Sequence, residues 1–433
     1  MKAYRAAILR FAADQSAIYD EDGLLVIGPG SNGAEQVLAV GDYRSQHERV
    51  QRVYPGLPIE HLPGRIIAPG FIDLHVHYPQ TDVIGSPASG LLPWLDNYTY
   101  PHEARFTDSA YASEVAKFFL DELARNGVTT ALTFATSHMA SVDAFMREAQ
   151  ARGLRMIAGK VLQDRHSPAG VRDATEQSLI DTETLIQRWH GKGRLGYAIT
   201  PRFAPTSTPQ QLLGAGALAA RFPDVWVQSH VAENLDEVRW VHELFPTARS
   251  YLSVYHEHGL MRARSIFAHC IHLDDDDRSL MRSTGAAAAV CPTSNLFLGS
   301  GFFDFLAAED VGFSYGLASD VGGGTSFSPL HTMLAAFYAG RASHGLPPSK
   351  GGVTLNPQTL WWLHTAGAAR ALGLEGVIGN LQVGCEADFI VLNPTATPLL
   401  ARKTAQAASL DELLFAMIVL GDDRLIERTV FAA

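Results

Sequence analysis

Cysteine is scarce: Cys270, Cys291 and Cys385 stand far apart in 433 residues. That excludes a disulfide framework, and a zinc site built from cysteines is not indicated either. No stretch of about 18 uncharged apolar residues occurs, so no membrane-spanning helix is expected. Met1 to Ala13 lacks the long apolar core and cleavage site of an export signal, and a cytoplasmic location is the expectation. Basic residues are outnumbered, 34 Lys and Arg against 45 Asp and Glu, for a net charge of −11 without a basic cluster. This argues against nucleic acid or an anionic membrane as partner. No internal repeat or low-complexity tract stands out. What is present, 47% hydrophobic and 18% charged residues, fits a large soluble enzyme of one big domain plus an accessory one.

Eight apolar, β-prone runs punctuate the middle of the chain, at 71–77, 128–136, 154–162, 195–200, 225–230, 266–269, 286–291 and 313–320. Helical patterns at 109–126, 141–152, 175–190, 209–221 and 274–283 separate most of them. Strand and helix alternating over about 250 residues predict an α/β fold, a (β/α)8 barrel whose site lies at the C-terminal strand ends. The flanks differ. Residues 1–65 hold short alternating runs broken by Asp-Gly and Pro-Gly turns, and 380–433 hold the run Asp388-Phe-Ile-Val-Leu392 and a further candidate strand at 428–431. The two ends are expected to build a small β-sandwich around a barrel at 66–379. A long irregular connection, 79–107, follows the first barrel strand; loops of that length are usually functional.

Polar signals fall at the ends of these runs: His75 and His77, then Arg202, His230, His269 and Asp320. Neutral imidazoles and carboxylates bind zinc in a roughly tetrahedral set, with one position open to water in catalytic sites. A lone His-x-His is weak, since 17 His in 433 residues give on the order of 0.7 such spacings by chance. His256 and His258 form such a decoy, at a helical stretch leading into Gly259 with no apolar run before it. His75 and His77 instead close a strand, where a period of two sends both rings to one side. Each of these histidines, taken singly, fits a core residue bonded to a backbone carbonyl. Four candidate ligands in register, His75, His77, His230 and Asp320, point to a metal hydrolase.

Longer motifs carry a resemblance. Pro69-Gly-Phe-Ile-Asp-Leu-His75-Val-His77 and Gly379-Asn-Leu-Gln-Val-Gly384-Cys-Glu-Ala387-Asp388 resemble the first-strand and C-terminal signatures of the amidohydrolase superfamily. Further stretches resemble its guanine deaminase family, over nearly the whole chain. These are His77-Tyr-Pro-Gln80, Trp94-Leu95 with Tyr98-Thr99, Thr200-Pro-Arg202-Phe203, Ser229-His230-Val-Ala-Glu233-Asn234, Cys291-Pro-Thr-Ser294-Asn295, Ser319-Asp320-Val-Gly-Gly and Leu420-Gly-Asp-Asp-Arg424. The resemblance implies one zinc ion (Fe2+ being possible), a homodimer, and hydrolysis of guanine to xanthine and ammonia. For His269 it implies weak ligation or a hydrogen bond to the activated water, with base work shared with Asp320.

Ring deamination needs an acid beside the activated water, and Glu233, three residues after His230, is the expected proton shuttle, as in unrelated zinc deaminases. Its ordinary alternative is a stabilising acid at a helix start. Gln80 and Arg202 are expected to read the purine, because a carboxamide and a guanidinium fork satisfy a carbonyl oxygen and ring nitrogens. Phe203 offers a face for the ring and Trp94 a wall, although both are equally core types; His230, Glu233 and Asp320 also border the substrate. His138 could line the site, and His272 is expected to be structural. Lys160 could be the carboxylated lysine of a two-metal site, but it falls on the third strand rather than the fourth, so a buried, paired lysine is expected. The competing readings are a deaminase of another purine, pterin or s-triazine, a hydrolytic dechlorinase, and a metal-free scaffold barrel.

Overall fold

The computed structural model describes residues 1–30, 33–344 and 352–433. The chain opens with β1 (Lys2–Phe11), β2 (Ala17–Pro29), β3 (Glu35–Asp42) and β4 (Ile59–Pro69). Nine shorter strands follow: β5 (Phe71–His77), β6 (Val128–Phe134), β7 (Arg155–Gly159), β8 (Val161–Leu162), β9 (Gly196–Pro201), β10 (Trp226–Val231), β11 (Ser265–His269), β12 (Ala287–Val290) and β13 (Ser314–Leu317). Two more, β14 (Phe389–Leu392) and β15 (Ile426–Val430), lie near the C-terminus.

Strands β5 to β13 pair in parallel in the order β5-β6-β7-β9-β10-β11-β12-β13, with β8 continuing the third station against β9. The sheet closes between its first and last stations. Asp320 N–H donates to the His75 carbonyl at 2.9 Å, and His77 N–H to the Val321 carbonyl at 2.8 Å. Asp73 adds a side-chain clasp across this seam, accepting from Ser319 Oγ at 2.5 Å and Ser319 N at 3.0 Å. The result is a (β/α)8 barrel, its strands within a few residues of the apolar runs in the sequence.

The pleat sorts the side chains. Leu132, Ile157, Ala198, Trp226, Ile266 and Ala287 pack together inside the barrel. Their neighbours Ala131, Met156, Tyr197, Val227, Phe267 and Ala288 pack outward, against helix residues such as Phe119, Phe145 and Leu212. Alanines at 198, 268, 287 and 289 leave room for the Trp226 indole, whose N–H donates to the Leu372 carbonyl at 2.9 Å. In β5 the register against β6 shifts between Asp73 and Val76. A bulge of this kind re-aims side chains, and here it lets Leu74 and His75, adjacent in sequence, both serve the interior. Helices start where capping chemistry allows: Asp108 caps Ser109–Arg125, and Thr208 precedes Pro209 in Pro209–Arg221.

Both termini build one six-stranded mixed sheet, ordered β15-β14-β4-β1-β2-β3. Arg155 and Arg194, on the barrel, join it through the buried carboxylates Glu386 and Asp388. Three helices in the flanks were not anticipated from sequence. Tyr43–Val53 buries only Val50 and holds just three apolar residues, Tyr43, Val50 and Val53, too few to stand out in the sequence. Pro398–Thr404 and Leu410–Leu420 send Leu400, Leu414, Met417 and Ile418 into the barrel's outer core. Among the described residues no helix is long and apolar enough to cross a membrane.

Candidate active site

The strand ends converge. His75, His230, His269 and Asp320 each present a ligand atom, all within 4.8 Å of one another. His77 joins them: its Nε2 lies 3.1 Å from His75 Nε2, 3.2 Å from His230 Nε2 and 3.3 Å from Asp320 Oδ1. His75 Nε2 is 3.1 Å from the same carboxylate oxygen. The backbone is strained around this point: Ala232, His269, Cys270 and Asp320 all have positive φ, between 49° and 71°. Such conformations cost about 1–3 kcal/mol each and persist where neighbours over-determine them. Here the Cys270 N–H is fixed on the Val231 carbonyl, the Ile271 and His272 N–H groups on the Ala232 carbonyl, and the Asp320 N–H on the His75 carbonyl. Gly324 completes the turn after Asp320, where a Cβ would meet the Ser319 carbonyl at 1.7 Å.

Proton placement decides whether a cation fits. His230 Nδ1 faces the Arg202 carbonyl at 2.6 Å and His269 Nδ1 faces Asn295 Oδ1 at 2.8 Å. Both acceptors require Nδ1 to carry the proton, which leaves the Nε2 lone pairs aimed at the centre. Among the described residues His269 Nε2 has no hydrogen-bond partner. Burial lowers His77 to about 4, and burial with the neighbouring imidazoles holds His230 well below the usual histidine range. Burial alone would raise Asp320, but the imidazoles of His75 and His77 outweigh it and keep the carboxylate ionised. Neutral imidazoles around one carboxylate, with an orphaned lone pair, are the donor set of a divalent transition metal.

Glu233 borders this centre, its Oε2 3.3 Å from His269 Nε2 and its Oε1 accepting from Ser300 Oγ at 2.8 Å. Burial, then the charge on Asp320, pushes its carboxyl up to about 8. Glu237 pins the turn that carries it: Glu237 Oε2 accepts from the N–H groups of Glu233 and Asn234, each at 3.2 Å, while Tyr251 OH donates to Oε1 at 2.5 Å. Asn234 and Glu237 are the two halves of a capping box on the helix Leu235–Leu244.

A cavity of about 410 Å³ opens over the centre, lined on its far side by Gln80, Trp94, Arg202 and Phe203. Arg202 is not a free fork. Its Nη1 and Nη2 donate to the buried Glu103 carboxylate at 2.7 and 3.1 Å. Gln80 Nε2 donates to Glu103 Oε1 at 3.0 Å, and Gln80 Oε1 accepts from Gly322 N–H at 3.2 Å. Trp94, Tyr100, Phe203 and Leu298 form the apolar rim, and among the described residues the Trp94 indole N–H has no partner.

Other sequence candidates lie elsewhere. His138 is held by the Gly170 carbonyl and Thr136, and His272 by the Ser300 carbonyl. His256 and His258 end the helix Tyr251–Glu257. Lys160 is buried, 2.7 Å from Asp173 Oδ1, and offers nothing to the centre. Sequence reasoning missed Glu103, Glu237 and Ser300, and gave Asn295 no role although it lies in the Cys291–Asn295 motif. Of the three missed, only Glu237 carried a local signal, the Asn-x-x-Glu spacing of a capping box.

An amidohydrolase family model matches residues 66–430. The guanine deaminase of Escherichia coli K12 is 42% identical over 427 residues, 98% of this chain and 91% of that protein. The solved E. coli guanine deaminase superposes with a TM-score of 0.94 at 40% identity, over 100% of this chain and 98% of that one. A guanine deaminase from C. acetobutylicum, solved with guanine bound in its active site, gives 0.90 at 28% identity over 100% and 98%.

Proposed function

The chain belongs to the amidohydrolase family, and from that premise we infer that it hydrolyses guanine to xanthine and ammonia. One observation carries the reading: a single cavity joins the His/Asp cluster that could hold a metal ion, the buried acid Glu233 and the Gln80–Arg202 wall. Guanine lies with C2 over the cluster and its 6-oxo edge toward the wall, where Phe203 and Trp94 flank the ring.

We assign one Zn2+ per chain to His75, His77, His230 and Asp320, with Fe2+ as the alternative ion. When bound, such an ion makes water nucleophilic near neutral pH. Asp320, with His269 beside it, accepts a proton from the attacking water as its oxygen bonds to C2. Glu233 delivers a proton to the adjacent ring nitrogen, so negative charge does not build on the ring. The same carboxyl then carries the proton of the new C2 hydroxyl to the amino group; the C–N bond breaks, ammonia leaves, and the proton held on Asp320 returns to Glu233 through solvent as the next water enters. Arg202 and Gln80 hold the 6-oxo edge. The family resemblance further supports a homodimer, which light scattering on the purified protein tests, and a cytoplasmic location, which cell fractionation tests.

The functional test follows ammonia release from guanine, cytosine, adenosine and melamine. The reading requires guanine to be strongly preferred. Preference for any other member of that set would replace guanine as the substrate.

A further inference from the structure

Glu103 has no place in the chemistry above, yet it is completely buried at the back of the cavity. It ends the helix Tyr100–Glu103, within the long connection after β5. Its two oxygens take three donors, two from Arg202 and one from Gln80. The Tyr100 ring lies 5.1 Å from the Arg202 guanidinium carbon, completing the cage.

A carboxylate only accepts, and the Gly322 N–H on the other side of Gln80 only donates. The Gln80 carboxamide therefore has one permitted orientation: nitrogen toward Glu103, oxygen toward Gly322. Flipping it would oppose two donors at one end and two acceptors at the other. The guanidinium plane is fixed too, by two parallel bonds. With these groups engaged, the wall offers the second amide N–H of Gln80 and the remaining N–H groups of Arg202. We propose that Glu103 is the specificity-determining positioning residue of this enzyme: it orients Arg202 and Gln80 as a donor wall that selects purines with an acceptor at position 6 over those with a 6-amino group. The proposal rests on the guanine reading and extends it.

The test compares guanine with 2,6-diaminopurine, which keeps the 2-amino leaving group and replaces the 6-oxo acceptor by a donor. In Glu103→Gln the new amide NH2 must face either Arg202 Nη1 or both Arg202 Nη2 and Gln80 Nε2, and in the second placement Gln80 gains a second orientation. The ratio of kcat/KM for guanine to that for 2,6-diaminopurine is expected to fall by about tenfold or more. The change should reside in a raised KM for guanine, with kcat within about threefold of wild type and metal content unchanged. Glu103→Asp keeps the charge but withdraws the carboxylate by one methylene. It should fall between wild type and Glu103→Gln, and it supplies the measurement if Glu103→Gln does not fold. Equal losses on both purines, leaving the ratio within about twofold of wild type, would overturn the proposal and leave Glu103 a purely structural ion-pair partner. A wild-type enzyme without activity on guanine overturns the functional reading itself, and this inference with it.

Discussion

Glu233→Gln separates proton transfer from metal holding and substrate reading. The amide is nearly isosteric, and its surroundings accommodate it: the Gln oxygen still accepts from Ser300 Oγ, now at 2.8 Å from Glu233 Oε1, and its NH2 faces His269 across the 3.3 Å gap. The bonds that Glu237 Oε2 accepts from Glu233 and Asn234 use only the backbone N–H groups of those two residues and survive. Fold and metal content should therefore stay near wild type. What is lost is a proton that can be given and taken back. General acid–base catalysis contributes about 10²–10⁴-fold, roughly 2.7–5.4 kcal/mol at 1.36 kcal/mol per decade. Because one carboxyl serves both ring nitrogen and departing amine, the loss should fall at the upper end of that range. The assay is xanthine formation from guanine under saturating conditions, with metal measured on the same preparation. A variant that keeps more than about a tenth of wild-type kcat with full metal would refute the assignment and move the proton shuttle to Asp320 or His269.

His230→Ala should lower metal content and activity together, because it removes an Nε2 lone pair that the Arg202 carbonyl holds on the centre; full metal loading in this variant would remove His230 from the ligand set. Metal analysis of the wild type should give about one equivalent per chain, and two equivalents with a carboxylated Lys160 would contradict the pairing of Lys160 with Asp173. Arg202→Met should cut kcat/KM for guanine by about tenfold or more, with metal unchanged, and unaltered guanine kinetics would locate purine recognition elsewhere. It should also lower thermal stability, since removing one partner of a buried ion pair costs about 3–5 kcal/mol. Arg194→Met, far from the cavity, should destabilise similarly by stranding Asp388 and weakening the hold on Glu386, while the remaining folded enzyme keeps its kcat.

The barrel was legible in the sequence because its strands are buried on both faces, so each reads as a near-continuous apolar run between amphipathic helices. The centre was legible because its side chains come from those runs' ends: His75 and His77 share a strand, and His230, His269 and Asp320 close three others. What escaped came from two causes. Tyr43–Val53 lies on the surface with one buried residue and only three apolar ones, too little to stand out in the sequence. Glu103 lies 99 positions from Arg202 in sequence, in an irregular connection without periodicity. Pairings of that separation are fixed by how the loop folds over the barrel mouth, and no local pattern encodes them. Arg202 was therefore expected as a free reader, whereas its fork is half engaged by a carboxylate.

The most direct test of the account runs the purified, metal-loaded protein on guanine in water enriched in heavy oxygen, following xanthine by mass spectrometry and ammonia in parallel. Hydrolytic deamination at C2 predicts equimolar xanthine and ammonia, one solvent oxygen in each xanthine, and loss of both products on chelation with recovery when Zn2+ is returned. Guanine left intact by the metal-loaded enzyme, or xanthine formed without solvent oxygen, would contradict it.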